Sequence, residues 1–187
     1  EEDVLPEYPE IVVAIERLSG LALGQTLAGI RIAHPFLLRT ADPSIAILKG
    51  RILHNVQRLQ KQIVLVFRDE LFLVLHLMIS GRLDWREPGS RIGRRHGLAA
   101  LDFLNGSLVI SESSTKKRAS LHLVKGREGL EPFDRGGLEA ADAPLVAFVS
   151  RIREENHTLK RTLTDQRILS GIGNAYGQAA VFQKRGH

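Results

Sequence analysis

Short apolar runs separated by turn-forming residues occupy most of the chain up to about residue 128, and they predict β-strands. Some runs alternate apolar with polar positions and others are continuously apolar, as in strands buried on both faces. Asn105-Gly106 is a strong signal for a two-residue hairpin turn. Eight short strands joined by tight turns predict a β-sandwich or barrel. The predicted strands are Gly29–Arg39, Arg51–Leu59, Gln62–Phe67, Leu71–Leu77, Gly81–Trp85, Leu98–Leu104, Ser107–Ser111 and Ala119–Val124.

Helical periodicity flanks this β-region on both sides. Apolar positions spaced at 3.6 residues follow Pro9 and predict a leading helix that Gly20 ends. Beyond Gly136-Gly137 the pattern predicts a helix capped by Asp142, and a second helix after Asn156-His157-Thr158. A third helical run follows residue 174. The predicted fold class is therefore α+β, with a leading helix and a β-sandwich in residues 1–128 and an incomplete helical module in residues 129–187.

Composition excludes several kinds of site. The chain has 187 residues, a formal net charge of +5 and no cysteine, which rules out thiolate zinc sites, iron–sulfur clusters and cysteine nucleophiles within this sequence. The most apolar run, Leu71–Ile79, is far shorter than the roughly 20 residues that span a bilayer. The N-terminus is acidic, unlike a signal peptide. We therefore expect an intracellular protein without a membrane segment.

Four features could carry chemistry, and each has an ordinary structural alternative. Gly171-Ile172-Gly173-Asn174 could present backbone N–H groups to a phosphate, or could be a turn between helices with an Asn cap. Pro6-Glu7 and Pro9-Glu10 are two Pro-Glu pairs before the leading helix, and local physics favours simple helix entry for them. The third feature is Lys61 together with His76. Lys61 lies between two apolar strands and could contact an anion or could be an edge lysine. His76 ends an apolar strand and could be a core residue.

The fourth feature is a basic region. Residues 86–127 contain nine Lys and Arg against three acidic residues, including the cluster Lys116, Lys117 and Arg118. Such a region could be a solvated loop or could contact the phosphates of a nucleic acid.

These features coincide, in order, with the motifs of one family. The chain resembles the formamidopyrimidine-DNA glycosylase / endonuclease VIII family of base-excision repair enzymes. The matching segments are Pro6-Glu7-Tyr8-Pro9-Glu10, Lys61 at the expected hairpin position, His76–Gly81, Gly129–Phe133, Leu159–Gln166 and Gly171–Tyr176.

The resemblance implies a β-sandwich domain, a helix–two-turn–helix domain and duplex DNA, damaged or abasic, between them. It implies a monomer acting in the bacterial cytoplasm or, in a eukaryote, in the nucleus. By position, Pro6 would be the amine nucleophile, Glu7 the acid/base group, and Lys61 a contact to the phosphate or sugar at the lesion. Asn174 would hold a backbone phosphate. The remaining DNA-binding residues implied are His76, Lys116, Lys117 and Arg118.

The chain also departs from the family pattern. Five residues precede Pro6, so its nitrogen is a tertiary amide unless Glu1–Leu5 are removed. The family's Asp-Pro-Arg-Arg-Phe-Gly motif is replaced by Ser113–Ser120, which has no aromatic residue. Met78 and Ile79 stand where the family has Gly and Met. We expect no cofactor in this chain, because the family's zinc finger would need cysteines beyond residue 187.

Three functional hypotheses follow. The first is an active DNA glycosylase and abasic-site lyase that uses Pro6 after processing. The second is a catalytically silent relative that binds DNA without this chemistry. The third, with the least support, is a protein-interaction role for the sandwich alone.

Overall fold

The computed structural model of the protein describes residues 8–154 and 157–173. The chain divides after Leu130 into two compact units, Glu1–Leu130 and Glu131–His187. The sequence analysis placed this division after residue 128. Three of the predicted site residues, Pro6, Glu7 and Asn174, lie outside the described residues, as does the predicted third helical run.

The first unit begins with helix α1 (Tyr8–Ala22). The helix continues through Gly20, where the sequence predicted its end. Gly20 is exposed and a side chain there would meet nothing within 4 Å, whereas Leu18 and Ala22, four residues apart, are buried at 3% and 0% exposure. Burial of this apolar face therefore outweighs the low helix propensity of one glycine.

Two antiparallel four-stranded sheets follow α1 in the first unit. Sheet I contains, in spatial order, β1 (Leu27–Ile32), β6 (Gly97–Phe103), β7 (Gly106–Glu112) and β5 (Gly81–Arg86). Sheet II contains β2 (Leu53–Leu59), β3 (Gln62–Phe67), β4 (Leu71–His76) and β8 (Ser120–Lys125). Short 3₁₀ helices occupy Pro35–Leu37, Ile45–Leu48 and Arg127–Phe133. All eight predicted strands are present.

Two boundaries differ from the sequence prediction. The predicted strand Gly29–Arg39 ends at Ile32, because Pro35 cannot donate to a strand ladder and instead begins a 3₁₀ turn. In the hairpin between β6 and β7, Phe103 pairs with Gly106, so the two turn residues are Leu104 and Asn105. The Asn105 side chain donates to the Leu21 carbonyl oxygen at 2.7 Å and thereby ties this hairpin to α1.

Both sheets and α1 contribute to one continuous hydrophobic core. Phe67 from sheet II and Phe103 from sheet I are each 2% exposed, and Ile11 of α1 is 1% exposed within the same cluster. Two sheets that share a core are a β-sandwich, and with the leading helix and the helical second unit this confirms the predicted α+β fold class.

The passage from sheet II to sheet I is a tight turn between β4 and β5. Met78 has φ = 56° in the left-handed region, at the position where the family pattern has glycine. Gly81 donates its N–H to the Leu77 carbonyl oxygen at 3.1 Å, and a Cβ on Gly81 would lie 2.2 Å from that oxygen. The close approach of the two backbones therefore requires glycine at residue 81.

A charged network holds the loop between β5 and β6 to sheet I. Arg31 donates to both carboxylate oxygens of Asp102, at 2.6 and 2.8 Å, and to the Ser90 carbonyl oxygen at 2.8 Å. Ser107 Oγ donates to Asp102 at 2.5 Å and accepts from the Gly89 N–H at 2.9 Å. The hydrogen-bonded Arg31 guanidinium lowers the pKa of Asp102, despite its partial burial.

The second unit is small and mainly helical. It contains α2 (Leu145–Arg153), α3 (Leu159–Thr164) and a two-residue parallel pairing of β9 (Leu138–Glu139) with β10 (Leu169–Ser170). Leu163, Ile168 and Leu169 form its buried centre. Among the described helices of either unit, none is both long and apolar enough to cross a membrane.

The two predicted helix starts in this unit had different outcomes. Helix α3 begins directly after Thr158, as predicted, and the Thr158 Oγ caps it by accepting from the Arg161 N–H at 3.4 Å. The predicted Asp142 cap of α2 is wrong, because Pro144 occupies the N-cap position and no side chain caps the helix there. Asp142 lies two residues too early to reach the first free N–H groups of α2.

We predict that Asp102→Asn destabilises the protein by about 1–2 kcal/mol at pH 7, where the Arg31 pair is charged and hydrogen-bonded. Because the folded-state pKa of Asp102 is lowered, its contribution is present above the unfolded-state value of about 3.9 and is lost as the pH falls through the folded-state value. Urea unfolding at pH 7 and at pH 3 measures this. Asp84→Asn is the control, since Asp84 and Arg86 are both 47% exposed. An equal loss at both pH values would contradict the assignment.

We also predict that Gly81→Ala destabilises the fold by about 2 kcal/mol or more, because the new Cβ would collide with backbone rather than with a movable side chain. Gly29→Ala is the matched control: Gly29 lies in β1, and a Cβ there would meet nothing within 4 Å. Thermal unfolding of both variants measures the difference. If both glycine variants unfold at the same temperature, the close approach at Leu77 is not a constraint.

Candidate nucleic-acid interface

The strand register brings several predicted site residues to one end of sheet II. β2 and β3 are joined at this end by the turn that contains Lys61, since Leu59 pairs with Gln62. β4 ends here, because Ile63 at the start of β3 pairs with Leu75. β8 begins here, because His76 pairs with Ser120. We call the set Lys61, His76, Lys116, Lys117 and Arg118 the cationic end of sheet II.

The Lys61 turn has a constrained backbone. Gln60 adopts φ = 58°, and its carbonyl oxygen accepts from Arg58 Nη1 at 2.8 Å. Lys61 lies in this turn and is half-buried. The backbone of the turn therefore fixes the position of Lys61 at the end of sheet II. His76 is likewise half-buried at the last position of β4.

The loop between β7 and β8 is organised by a buried carboxylate. Glu112, the last residue of β7, is 1% exposed. Its carboxylate accepts from the N–H groups of Arg118, at 2.9 and 3.1 Å, and Ala119, at 3.0 Å. It also accepts from Ser114 Oγ at 3.0 Å. A buried carboxylate needs such donors, because its desolvation would otherwise be costly. The loop backbone is therefore folded around Glu112.

A second set of bonds joins this loop to the turn between β4 and β5. The Ser114 N–H donates to Ser80 Oγ at 3.0 Å, and the Ser113 N–H donates to the Ser80 carbonyl oxygen at 3.3 Å. Ser80 is 5% exposed. The segment that follows His76 and the loop between β7 and β8 (the basic loop) are thus held together as one surface.

The three basic residues of the loop have different environments. The Lys117 ammonium donates to the carbonyl oxygens of Glu112 at 2.5 Å and Ser114 at 2.8 Å, and its side chain is half-buried. Lys116 and Arg118 are exposed. Lys117 therefore braces the loop, and the charges available to an incoming anion at this loop are those of Lys116 and Arg118.

One titratable group of sheet II, His122, has a pKa below its ordinary value. Partial burial, and secondarily the charge of Arg39, lower the pKa of His122 on β8. A histidine with a lowered pKa is neutral at pH 7. His122 therefore adds no positive charge to sheet II at neutral pH.

In the second unit, the Gln166 side chain organises the turn that leads towards Asn174. Its Nε2 donates to the Ile172 carbonyl oxygen at 2.6 Å, and its Oε1 accepts from the Gly171 N–H at 3.0 Å. Beside this turn is an open cavity lined by Arg135, Arg161, Thr164, Asp165, Gln166 and Arg167. Asp165 is not a free acid there, because the hydrogen-bonded Arg167 strongly lowers its pKa.

The structural roles of Glu112, Ser80 and Gln166 were not predicted from the sequence. Glu112 had one usable signal, a single acidic residue that closes an otherwise apolar strand. Gln166 was part of a quoted motif, but its role as a brace depends on Gly171 and Ile172 folding back on it. Within residues 8–154 and 157–173, no group of three or more His, Asp or Glu side chains is placed to hold a metal ion.

Comparison with known proteins identifies the fold and the lineage. The family model for the formamidopyrimidine-DNA glycosylase N-terminal domain matches residues 5–123. Formamidopyrimidine-DNA glycosylase from Chloroflexus aurantiacus is 32% identical over 98% of this chain and 66% of its own length. The Mycoplasma genitalium protein of the same name is 24% identical over 97% of this chain and 65% of its own length. The chain thus spans slightly less than two thirds of these curated relatives.

Solved structures agree on the fold. Lactococcus lactis Fpg in complex with DNA containing an abasic site superimposes with a TM-score of 0.84 at 21% identity, covering 97% of this chain and 68% of that one. MutM in complex with DNA containing carbocyclic 8-oxo-G gives a TM-score of 0.84 at 22% identity, covering 97% and 70%. With a family model that matches well over half of its residues, the chain belongs to the formamidopyrimidine-DNA glycosylase / endonuclease VIII family.

Proposed function

We propose that this chain is part of a base-excision repair protein that binds damaged or abasic duplex DNA and cleaves it through the amine of Pro6. The observation that carries the proposal is the convergence of Lys61, His76, Lys116 and Arg118 on one end of one sheet, in a member of this family. The DNA complexes of its structural neighbours support the same partner.

The spacing of the cationic end suits a phosphate backbone. Neighbouring strands lie about 4.8 Å apart, so the turn at Lys61 and the loop before β8 are separated by roughly 10 Å. The phosphates of one DNA strand follow one another at a rise of about 3.4 Å along the helix axis, so both elements could contact phosphates of nearby nucleotides on one strand. Lysine and arginine bind such groups mainly by charge, with additional bidentate bonding from arginine.

The chemistry proposed for Pro6 and Glu7 requires a nucleotide turned out of the duplex. The secondary amine of Pro6 attacks C1′, the glycosidic bond breaks, and the departing base takes a proton. The amine loses its proton, and the sugar ring then opens as the C1′–O4′ bond breaks and O4′ takes up a proton, which leaves a positively charged Schiff base at C1′. This Schiff base makes the C2′ proton acidic, and its removal expels the 3′ phosphate. Glu7 would transfer protons in these steps as the adjacent acid/base group.

A second candidate function follows from the residues that precede Pro6. As long as Leu5 is joined to Pro6, the nitrogen is a tertiary amide, has no available lone pair and cannot form a Schiff base. A protein in that form would bind DNA but lack lyase chemistry. The silent relative is therefore the alternative to the active enzyme.

Borohydride trapping on a duplex with one abasic site decides between these functions. For the active enzyme we expect a covalent adduct that maps to Pro6, on protein whose intact mass lacks residues 1–5. DNA binding without an adduct, on protein that retains Glu1–Leu5, would identify the silent relative. Protein engineered to begin at Pro6 is the control, and failure of this form to give an adduct would contradict the proposed mechanism.

We further predict how salt affects DNA binding by loop variants. Lys116→Ala and Arg118→Ala should each lower affinity and reduce the slope of log K against log[salt] by about 1, because each removes one phosphate contact. Lys117→Met should lower affinity with no change of slope, because its ammonium bonds within the loop. A Lys117→Met variant whose slope falls as much as that of Lys116→Ala would contradict the distinction.

A further inference from the structure

The side chain of Phe36 is unusually exposed for an aromatic residue. It is 73% exposed, and it is the only exposed Phe or Trp side chain within residues 9–154 and 157–173. Single exposed aliphatic residues are common on protein surfaces, but a Phe ring in water leaves a large apolar area uncovered. The proposed function as stated above makes no use of it.

Phe36 lies beside the cationic end of sheet II. The Arg39 N–H donates to the Leu121 carbonyl oxygen at 2.9 Å, and Leu38 forms a parallel bridge with Leu121. The segment that contains Phe36 therefore runs along the outer edge of β8, with Phe36 towards the start of that strand. The basic loop enters β8 at the same place, and Lys117 and Ala119 line a small hollow together with Phe36.

The backbone under Phe36 is held in place from both sides. The His34 N–H donates to the Leu98 carbonyl oxygen at 3.0 Å, and Leu37 is 1% exposed in the core. Pro35 restricts the first turn of the 3₁₀ helix. The His34 ring lies 5.8 Å from the Phe36 ring, centroid to centroid, at a tilt of 55°. The ring is thus presented on a fixed support rather than on a loose loop.

The charges around Phe36 favour one class of ligand. Arg39 is exposed on the same segment, and Lys116 and Arg118 are exposed on the adjoining loop. Protein–protein interfaces are depleted of charge at their centres, whereas an aromatic ring among cations is the usual platform for a nucleic-acid base, with the cations on the phosphates. A single ring can stack on a base only where that base is not already stacked on both faces.

We propose that Phe36 stacks on an unpaired base of the bound DNA. This inference rests on the proposed function, because it requires that the cationic end of sheet II binds DNA. It adds a specificity-determining contact: the charged groups hold any duplex, and Phe36 favours a duplex in which a base has lost its partner or its neighbour.

The experiment compares two duplexes of equal length and sequence over the same series of salt concentrations. One is fully paired, and the other carries a tetrahydrofuran abasic analogue opposite a base. The parent chain should bind the second duplex more tightly. For Phe36→Ala we expect this preference to fall at least about fivefold, which is the lower end of the effect of stacking one base on an aromatic ring. The slope of log K against log[salt] should stay unchanged.

Two further variants separate stacking from folding. Leu104→Ala removes another exposed apolar side chain, 69% exposed in the turn between β6 and β7 of sheet I, and should keep the full preference. Phe36→Trp should also keep the preference, and its added indole fluorescence should be quenched by the abasic duplex. Because Phe36 and Leu104 are both exposed, all three variants should retain the parent's thermal transition.

The outcomes distinguish the inference from the function beneath it. The inference alone is overturned if Phe36→Ala keeps the parent's full preference for the abasic duplex. It is likewise overturned if the abasic duplex does not change the indole fluorescence of Phe36→Trp. A parent chain that binds both duplexes equally also overturns the inference alone. A parent chain that binds neither duplex overturns the proposed function and this inference together.

Discussion

The buried carboxylate of Glu112 is the interaction on which the cationic end of sheet II depends. At 1% exposure it is stable only with hydrogen-bond donors around it, and the chain supplies the N–H groups of Arg118 and Ala119. The carboxylate and the loop depend on each other. The carboxylate needs the loop to fold back, and the folded loop has two N–H groups that need an acceptor. The loop that presents Lys116 and Arg118 is therefore ordered before any ligand arrives.

The fixed conformation of this loop in the free protein affects the affinity with which it can bind an anion. A flexible basic loop would lose conformational entropy on contact with phosphates, and that loss would weaken the affinity gained from its charges. Glu112 and Lys117 remove much of this loss by fixing the loop in the free protein. Ser80 extends the fixed surface to the turn that follows His76. The cost is one cation, since the Lys117 ammonium is used inside the loop.

Sequence patterns were sufficient for the sandwich and insufficient for the loop. Alternation and apolar runs located every strand of the two sheets, because each strand's own residues determine which of its faces is buried. Strand Gln62–Phe67 agrees to the residue. The role of Glu112 depends instead on donors six and seven residues away that arrive only when β7 and β8 are in place. Gln166 likewise acts through Ile172. No local periodicity carries such information.

The proposed function assigns DNA recognition and amine chemistry to different atoms, so the two are separable. The charges of Lys61, Lys116 and Arg118 and the ring of Phe36 are held by sheet II, Glu112 and the core. The proposed chemistry uses the nitrogen of Pro6. Acylation of that nitrogen would abolish the proposed nucleophilic attack without removing any of these charges. Loss of the Glu112 donors would do the reverse, disordering the loop while the amine keeps its reactivity. Under the proposed function, a change at the nitrogen of Pro6 alone would therefore remove or restore catalysis while the charged groups of the cationic end of sheet II stay in place.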